Sequence, residues 1–309
     1  MNKLINQKKQ FLNGQLAKNE YLEKIYAHHT YLFDYSEFMK GTDISKIEIE
    51  DDSIIFTCRD SQIKLICAKG ETRSVPLTIL NLGDYESDEL NMQLRLIQDG
   101  DTVFDIGGNI GWYALHVAKA RPGSVIRSFE PVPWTFNVMQ KNILLNNMNN
   151  IQSHNFGFSD KAGEFEFFFD PAISGNASLV NVAEKENIQV FKCKVNTLDD
   201  YVKDENLKID FIKCDVEGAE LFVFKGGEAT LKKNQPIIFT EMLRKWSAKF
   251  NYHPNAIIDF FRTLNYSPYV INGEMLRKFD RVDDNTEETN YFFLHNTKHA
   301  DLIKKVLCK

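Results

Sequence analysis

The segment Val103-Phe-Asp-Ile-Gly-Gly-Asn-Ile-Gly-Trp112 limits the possible folds of this chain more than any other part of its sequence. Apolar residues run into Asp105 and then into a glycine-rich turn, after which a helix is predicted. Gly107 and Gly111 allow the backbone to turn tightly and to approach a ligand without a Cβ clash. The N-terminus of the helix would point at that ligand. The segment therefore predicts a strand–turn–helix unit that binds a nucleoside.

The same rhythm continues along the chain after Gly100. Short apolar strands alternate with helices, which predicts a mostly parallel α/β sheet covered on both faces. The predicted strands are 102–106, 124–129, 151–156, 208–214 and 236–241, with further strands at 164–169, 189–195, 269–271 and 291–295. The predicted helices are 112–120, 134–146, 219–231 and 254–264. Ligands of such sheets bind beyond the C-terminal ends of the strands.

Residues 1–99 have a different pattern and are predicted to form a separate extension, with residues 100–309 as the α/β domain. Up to about Met39 the extension is polar with scattered aromatic residues, which predicts helices. From Lys46 apolar and polar residues alternate, which predicts a small β-hairpin unit, and 89–97 reads as a short helix. Because the aromatic residues need a partner surface, our hypothesis is that the extension forms an acceptor lid or an oligomer contact.

The residues around the glycine turn distinguish two classes of cofactor. A dinucleotide site has the pattern G-x-G-x-x-G, and here Asn109 takes the place of the second glycine, which disfavours a pyrophosphate. Asp105 would repel a phosphate, but it would suit the ammonium group of S-adenosylmethionine, which carries a sulfonium and no phosphate. Glu130 ends the next strand, where an acid can accept both ribose hydroxyls. The pattern favours S-adenosylmethionine over NAD.

A second signature, IDFIKCDVEGAELFVFKGG, begins at Ile209. It reads as a buried strand that runs into acids and glycine, and Asp215 should lie at the strand tip beside the cofactor. Glu217 and Glu220 fall where a following helix begins, and a carboxylate there favours the positive end of the helix dipole. We favour that structural role for Glu220 and a place in the site for Asp215.

Five blocks together resemble the FkbM-type methyltransferase family over about residues 102–242: FDIGGNIGWYAL, SFEPVPWTFNVMQKN, NFGFSDKAG, TLDDYV and the DVEGAE segment. The resemblance implies a Rossmann-like class I methyltransferase fold with a seven-stranded sheet whose final strand is antiparallel. It implies S-adenosylmethionine held by Asp105, Gly107, Asn109, Gly111 and Glu130. It also implies that Asn155 to Gly157, including Phe156, pass the adenine, with Asp160 a weaker candidate for its amine and with Tyr85 and Glu86 bordering the cofactor.

Members of this family are similar to O-methyltransferases of sugars, glycolipid or polysaccharide units and polyketides. The resemblance thus implies an O-methyltransferase acting on a sugar, a glycan or glycolipid precursor or another small natural product, with S-adenosylhomocysteine as the second product. A hydroxyl loses its proton as it attacks, so a general base should help. Asp215 is the first candidate and Glu241 the second. Glu217 would orient the acceptor, or serve as the base if Asp215 binds the cofactor.

Two points about the acceptor side stay open. A divalent cation held by the clustered carboxylates would acidify the acceptor hydroxyl, but metal-independent transfer is the preferred alternative. The polar loop 171–187 is predicted to form part of the acceptor pocket through Asn176 and Ser178. A surface insertion without a role in binding is the equal alternative for that loop.

Bulk composition bounds the remaining classes. The net charge of −6 argues against a nucleic-acid substrate, and no uncharged apolar run approaches the length of a membrane span. The five cysteines lie far apart without a CxxC pair, which favours reduced thiols and a cytoplasmic location. The competing hypotheses are a methyltransferase acting on RNA or protein, a non-catalytic S-adenosylmethionine-binding module and a dehydrogenase.

Overall fold

The computed structural model describes residues 3–51, 53–170, 179 and 188–308. Its strands are β1 (Ile44–Ile49), β2 (Ile54–Cys58), β3 (Lys64–Cys67), β4 (Thr102–Ile106), β5 (Val125–Phe129), β6 (Ile151–His154), β7 (Gly157–Phe158), β8 (Gly163–Phe169), β9 (Gln189–Asn196), β10 (Phe211–Cys214), β11 (Ile237–Glu241), β12 (Tyr266–Asn272), β13 (Met275–Lys278) and β14 (Asn290–His295).

The helices are α1 (Lys3–Leu12), α2 (Lys18–His29), α3 (Tyr31–Phe38), α4 (Val75–Leu82), α5 (Ser87–Leu96), α6 (Trp112–Ala120), α7 (Pro133–Leu145), α8 (Leu198–Asp204), α9 (Glu220–Lys225), α10 (Glu228–Asn234), α11 (Arg244–Lys249), α12 (Asn255–Thr263) and α13 (Ala300–Val306). None of the helices in the described part of the chain has the length and apolar character needed to cross a membrane.

The central sheet confirms the predicted α/β class. Its order is β13-β12-β14-β11-β10-β4-β5-β6, and β4, β5, β6, β10 and β11 run parallel. The strand β14 is antiparallel to both β11 and β12, which agrees with the implied reversed final strand. The sheet has eight strands rather than the expected seven, because β13 pairs with β12 and becomes the edge strand.

The interior strands are apolar because both faces of the sheet are covered. Alternate residues of β4 enter opposite cores: Val103 packs with α6 and the N-terminal β-strands, whereas Phe104 packs with α9 and α12. The two cores clamp β4 and β10 at the centre of the sheet, with β5 and β11 beside them. The polar residues at their C-terminal ends are thereby held at one edge.

The predicted helix 219–231 is instead two helices, α9 and α10, separated at Gly226 and Gly227. A Cβ on Gly226 would lie 2.1 Å from the carbonyl oxygen of Ser159, and one on Gly227 would lie 2.6 Å from a methyl carbon of Leu198. The glycine pair thus allows the chain to pack against α8 and β7, and the helix breaks there.

The first hundred residues consist of two structurally different parts. The sheet β1-β2-β3 and helices α4 and α5 share a core with α6 and α7 of the α/β sheet. Helices α1, α2 and α3 contain no buried residues, and their exposed large side chains include Tyr31 and Phe33. The proposed division at residues 99 and 100 stays a prediction, as does the role of the helices.

Candidate active site

The glycine turn after β4 packs its backbone directly against the end of β5. The N–H groups of Gly107 and Gly108 both donate to the carbonyl oxygen of Phe129, at 3.0 and 2.9 Å. Gly107 has a φ of +75°, and a Cβ there would lie 1.8 Å from the carbonyl oxygen of Asp215. Asn109 follows with a φ of +48°. The turn can take this course only where the first position lacks a side chain.

Asp105 is buried beneath this turn and faces Lys213, a residue to which the sequence pattern gave no role. The Lys213 ammonium lies 3.4 Å from the Asp105 carboxylate and 3.8 Å from that of Asp215. It also donates to the carbonyl oxygen of Gly107 at 2.6 Å. Burial alone would lower the pKa of Lys213, but Asp105, Asp215 and Glu86 outweigh it and raise that pKa.

Asp105 is fixed in place by a second partner besides Lys213. The second carboxylate oxygen of Asp105 accepts the hydroxyl hydrogen of Ser128 at 2.8 Å, so the side chain is held from two directions. The other oxygen, Oδ1, faces Lys213 but has no hydrogen-bond partner among the described residues. A lysine inside an apolar strand is a signal in itself, because such a cation is rarely buried without a partner.

Glu130 lies at the end of β5, where the sequence predicted it. Its two carboxylate oxygens accept the backbone N–H groups of Asn109, at 3.1 Å, and of Val132, at 2.9 Å. Burial raises the pKa of Glu130 to about 7, although these two hydrogen bonds act in the opposite direction. The buried side-chain oxygen of Asn109 has no hydrogen-bond partner among the described residues. Glu130 and the turn therefore form one polar unit.

The residues predicted to pass the adenine lie in two places. Phe156 is partly exposed. Its ring contacts the ring of Phe129, the residue before Glu130, with 5.4 Å between the ring centroids. Asp160 is exposed, and its α-carbon lies 3.1 Å from a Cβ built on Gly226, at the junction of α9 and α10. The structure thus brings Phe156 towards the glycine turn and Asp160 towards α9.

A second group of acids follows β10 and β11. Burial raises the pKa of Glu241 to about 9, and the charges of Asp215 and Glu220 act in the same direction. Burial and the charges of Asp215 and Glu241 also raise the pKa of Glu217 well above its ordinary value. These mutual effects indicate that Asp215, Glu217 and Glu241 lie close together, as the sequence predicted. One oxygen of Asp215 has no hydrogen-bond partner among the described residues.

Tyr85 and Glu86 border the same group from the turn before α5. The hydroxyl of Tyr113 donates to Glu86 at 2.7 Å. Burial raises the pKa of Tyr85 well above its ordinary value, and Glu86, Asp215, Glu241 and Glu217 add to that shift. The extension therefore contributes side chains to the same edge of the sheet as β10 and β11.

Glu220 has the structural role that the sequence favoured. One of its oxygens accepts the backbone N–H groups of Val216 and Gly218, both at 3.0 Å, and the other lies 3.3 Å from the hydroxyl of Tyr252. These bonds close the turn in which Glu217 adopts a φ of +55°. Glu220 thereby fixes the direction of the chain between Asp215 and α9.

Within the described residues, no group of three or more His, Cys, Asp or Glu side chains is arranged to hold a metal ion. Asn176 and Ser178, predicted to line the acceptor pocket, lie outside the described residues.

Comparison with known proteins extends these observations. The curated Methyltransferase 1 of Beauveria bassiana is 32% identical over 149 residues, which is 41% of this chain and 59% of that protein. Methyltransferase sdnD of Sordaria araneosa is 29% identical over 153 residues, 40% of this chain and 59% of that protein. The chain thus spans 59% of the length of either relative.

A crystal structure of methyltransferase FkbM from Methylobacillus flagellatus superposes with a TM-score of 0.43 at 16% identity, covering 71% of this chain and 52% of that one. Residues 105–268 match the methyltransferase FkbM domain. This match begins at Asp105 inside β4, includes β5 to β11 with the acids that follow β5, β10 and β11, and ends in β12. The chain belongs to the FkbM methyltransferase family.

Proposed function

We propose that this protein transfers a methyl group from S-adenosylmethionine to a hydroxyl group of a sugar, a glycan or glycolipid precursor, or another small natural product. The observation that carries the proposal is the polar unit at the tips of β4 and β5. There the buried Glu130 carboxylate accepts the backbone N–H of Asn109 in the glycine turn, and the Asn109 side-chain oxygen lacks a partner among the described residues. A nucleoside without phosphates fits that unit, because Glu130 would repel phosphate.

The residues present fit S-adenosylmethionine, which supplies an electrophilic methyl group on sulfur. Each Glu130 oxygen accepts one backbone N–H and keeps a lone pair for a ribose hydroxyl. Gly107 and Gly111 supply the positive φ angles that the turn requires. Asn109 offers its oxygen, and Phe156 offers a ring face to the adenine. Asp105, held beside the turn by Lys213, keeps one oxygen without a hydrogen-bond partner among the described residues, which can accept the methionine ammonium. Asp160 remains a weaker candidate for the adenine amine.

The acids beyond β10 and β11 would handle the proton of the acceptor. In the free protein the pKa of Glu241, raised to about 9, keeps that side chain protonated at neutral pH, and burial raises the pKa of Glu217 as well. Asp215 has an oxygen without a partner and lies beside Lys213, so it is the first candidate to accept the proton. Glu241, as a protonated acid, can donate a hydrogen bond to the acceptor, and Glu217 beside it would orient the acceptor. We propose that transfer needs no metal.

We further propose that the protein acts in the cytoplasm on a small acceptor and not on nucleic acid. The five cysteines are unpaired, as a reducing compartment allows. The net charge of −6 would repel a phosphate backbone.

Calorimetry with S-adenosylhomocysteine tests the cofactor site without requiring the acceptor. We expect binding to the unaltered protein and an affinity about 10- to 100-fold lower for Glu130→Ala, because two hydrogen bonds to a charged group are lost. The matched control is Glu164→Ala, an exposed acid of β8, which should bind normally. Absence of binding to the unaltered protein, or equal affinity in both variants, would contradict the proposed cofactor site.

Turnover tests the acceptor class. The protein is incubated with labelled S-adenosylmethionine and, separately, with neutral glycans, polyketides, RNA and protein extracts. We expect label on a hydroxyl of a small molecule or glycan, located by mass spectrometry. Label on protein would overturn the proposal. Label on RNA, accompanied by salt-sensitive RNA binding, would overturn it too.

A further inference from the structure

A cavity lies beside the proposed active site, between the turns that carry Asp43, Asp60 and Asp84 and the helices α5 and α6. Its volume is about 520 Å³, within the range of small-molecule sites. Asp60 and Ser61 line one side, and Trp112 lines the other. Tyr85 connects the cavity with the proposed active site, since it lines the cavity and the charges of Glu86 and Asp215 raise the pKa of its hydroxyl.

The cavity has a built wall. The Trp112 ring meets Tyr85 edge-on at 5.6 Å and His116 at 4.1 Å between centroids. His116 donates from Nδ1 to the carbonyl oxygen of Trp112 at 2.8 Å, and its Nε2 accepts the hydroxyl of Ser61 at 3.0 Å. This chain of contacts ties the turn after β2 to α6 and fixes the cavity's shape.

One polar group in this wall is unsatisfied. Trp112 is only 6% exposed, and its indole N–H has no hydrogen-bond partner among the described residues. A buried donor without an acceptor is costly, so such a group at a cavity points to a ligand that carries a hydrogen-bond acceptor. An apolar ligand would leave the donor unpaired.

The charge of the lining defines the chemical class of that ligand. Asp43, Asp60 and Asp84 face the cavity against one lysine, Lys119, and the buried His116 is neutral because burial lowers its pKa to about 4. Carboxylates accept hydrogen bonds from hydroxyl groups and repel phosphates and carboxylates. Aromatic walls with polar acceptors suit the two faces of a sugar ring.

We infer that this cavity binds a neutral sugar unit of the acceptor, next to the unit that is methylated. The inference rests on the proposed function, since Tyr85 joins the cavity to the acids that would receive the acceptor hydroxyl. It also assigns a role to the extension, because Asp43, Asp60 and Ser61 precede the residues matched by the family domain.

Ligand-observed saturation-transfer NMR tests this cavity without cofactor. The probes are the methyl glycosides of glucose, galactose and mannose and the corresponding hexose 6-phosphates. We expect saturation transfer to at least one neutral glycoside and none to the hexose 6-phosphates. Asn91→Trp, on an exposed lining position of α5, should block the cavity, and Asp60→Asn should weaken binding about fivefold, as for one lost hydrogen bond. Asp204→Asn, an exposed acid of α8, is the matched control.

S-adenosylhomocysteine calorimetry on the same variants separates the two proposals. We expect unchanged affinity in all three, which also shows that they fold. If glycosides bind and Asn91→Trp removes that binding while S-adenosylhomocysteine binds to none of the proteins, the sugar site holds and the methyltransferase proposal fails. If S-adenosylhomocysteine binds but no neutral glycoside does, or the blocked variant binds equally, the sugar site is refuted. Stronger saturation transfer to the hexose 6-phosphates than to the neutral glycosides would overturn the assignment of the cavity to a neutral sugar.

Discussion

At the scale of single residues, the Lys213 ammonium connects three parts of the proposed site. It binds the carbonyl oxygen of the glycine turn, faces the buried Asp105 and lies beside Asp215 at the mouth of β10. The ring of Tyr113 covers it at 5.7 Å, so few water molecules can solvate either charge. Breaking such a pair is costly mainly because it leaves the other charge buried and alone.

We therefore expect Lys213→Met to lower the free energy of unfolding by about 3–5 kcal/mol, measured by urea denaturation. The control is Lys208→Met, which removes an exposed lysine 2.6 Å from Asp210 and should cost at most about 1 kcal/mol. The double variant Asp105→Asn with Lys213→Met should lose much less than the sum of the single variants. Additive losses would show that the two side chains do not form an energetically coupled pair.

At the scale of elements, the junction of β4 and α6 depends on the absence of a side chain at Gly107. We expect Gly107→Ala to be more destabilising than Gly70→Ala, although both glycines have a positive φ, of +75° and +93°. Only Gly107 faces a backbone carbonyl, whereas a Cβ on Gly70 meets nothing within 4 Å. Gly70→Ala should cost about 1–2 kcal/mol of conformational strain, and Gly107→Ala about 1–3 kcal/mol more.

Urea denaturation of the two alanine variants measures this difference, and S-adenosylhomocysteine calorimetry should show loss of binding for Gly107→Ala alone. Equal stabilities in the two variants would mean that the carbonyl of Asp215 moves freely. The strand β10 would then not be fixed against the turn.

The same junction shows what could be predicted from the sequence. The bounds of β4 and α6 agree with the prediction because apolar runs and glycines act locally. The break at Gly226 was not predicted, since it arises from Ser159, which is distant in the sequence. Lys213 was missed for the same reason: its partners Asp105 and Gly107 come from another strand. Local pattern gives the acids at the strand tips, but their pairing depends on the packing of β4 against β10.

At the scale of the whole molecule, buried acids make stability depend on pH. Burial raises the pKa values of Glu130 and Glu220 to about 7 and that of Glu241 to about 9 from 4.5. Between these limits the folded protein holds more protons than the unfolded chain, so the free energy of unfolding falls as the pH rises. The contribution is complete below about pH 4.5 and is lost through pH 9.

Burial lowers the pKa values of His116 and His299 to about 4, which opposes this trend below about pH 6.5. We therefore expect urea denaturation to show decreasing stability from about pH 7 to about pH 9. Glu241→Gln should flatten the decrease above about pH 7, whereas Glu164→Gln, on the exposed β8, should not. A free energy of unfolding that rises over this range in the unaltered protein would contradict the burial of these acids in a protonated form.

The two cores of the molecule hold these acids together at one edge, so the charge of a cofactor should reach several of them at once. S-adenosylmethionine is a cation at sulfur, and S-adenosylhomocysteine is not. The sulfonium should lower the pKa values of Glu241 and Glu217 and release protons.

Calorimetry at about pH 7.5 in two buffers of different ionisation enthalpy counts the protons released on binding. We expect more protons released with S-adenosylmethionine than with S-adenosylhomocysteine, and the excess should shrink in Glu241→Gln. Equal proton counts for both ligands would place the sulfonium away from these acids and remove them from the acceptor chemistry.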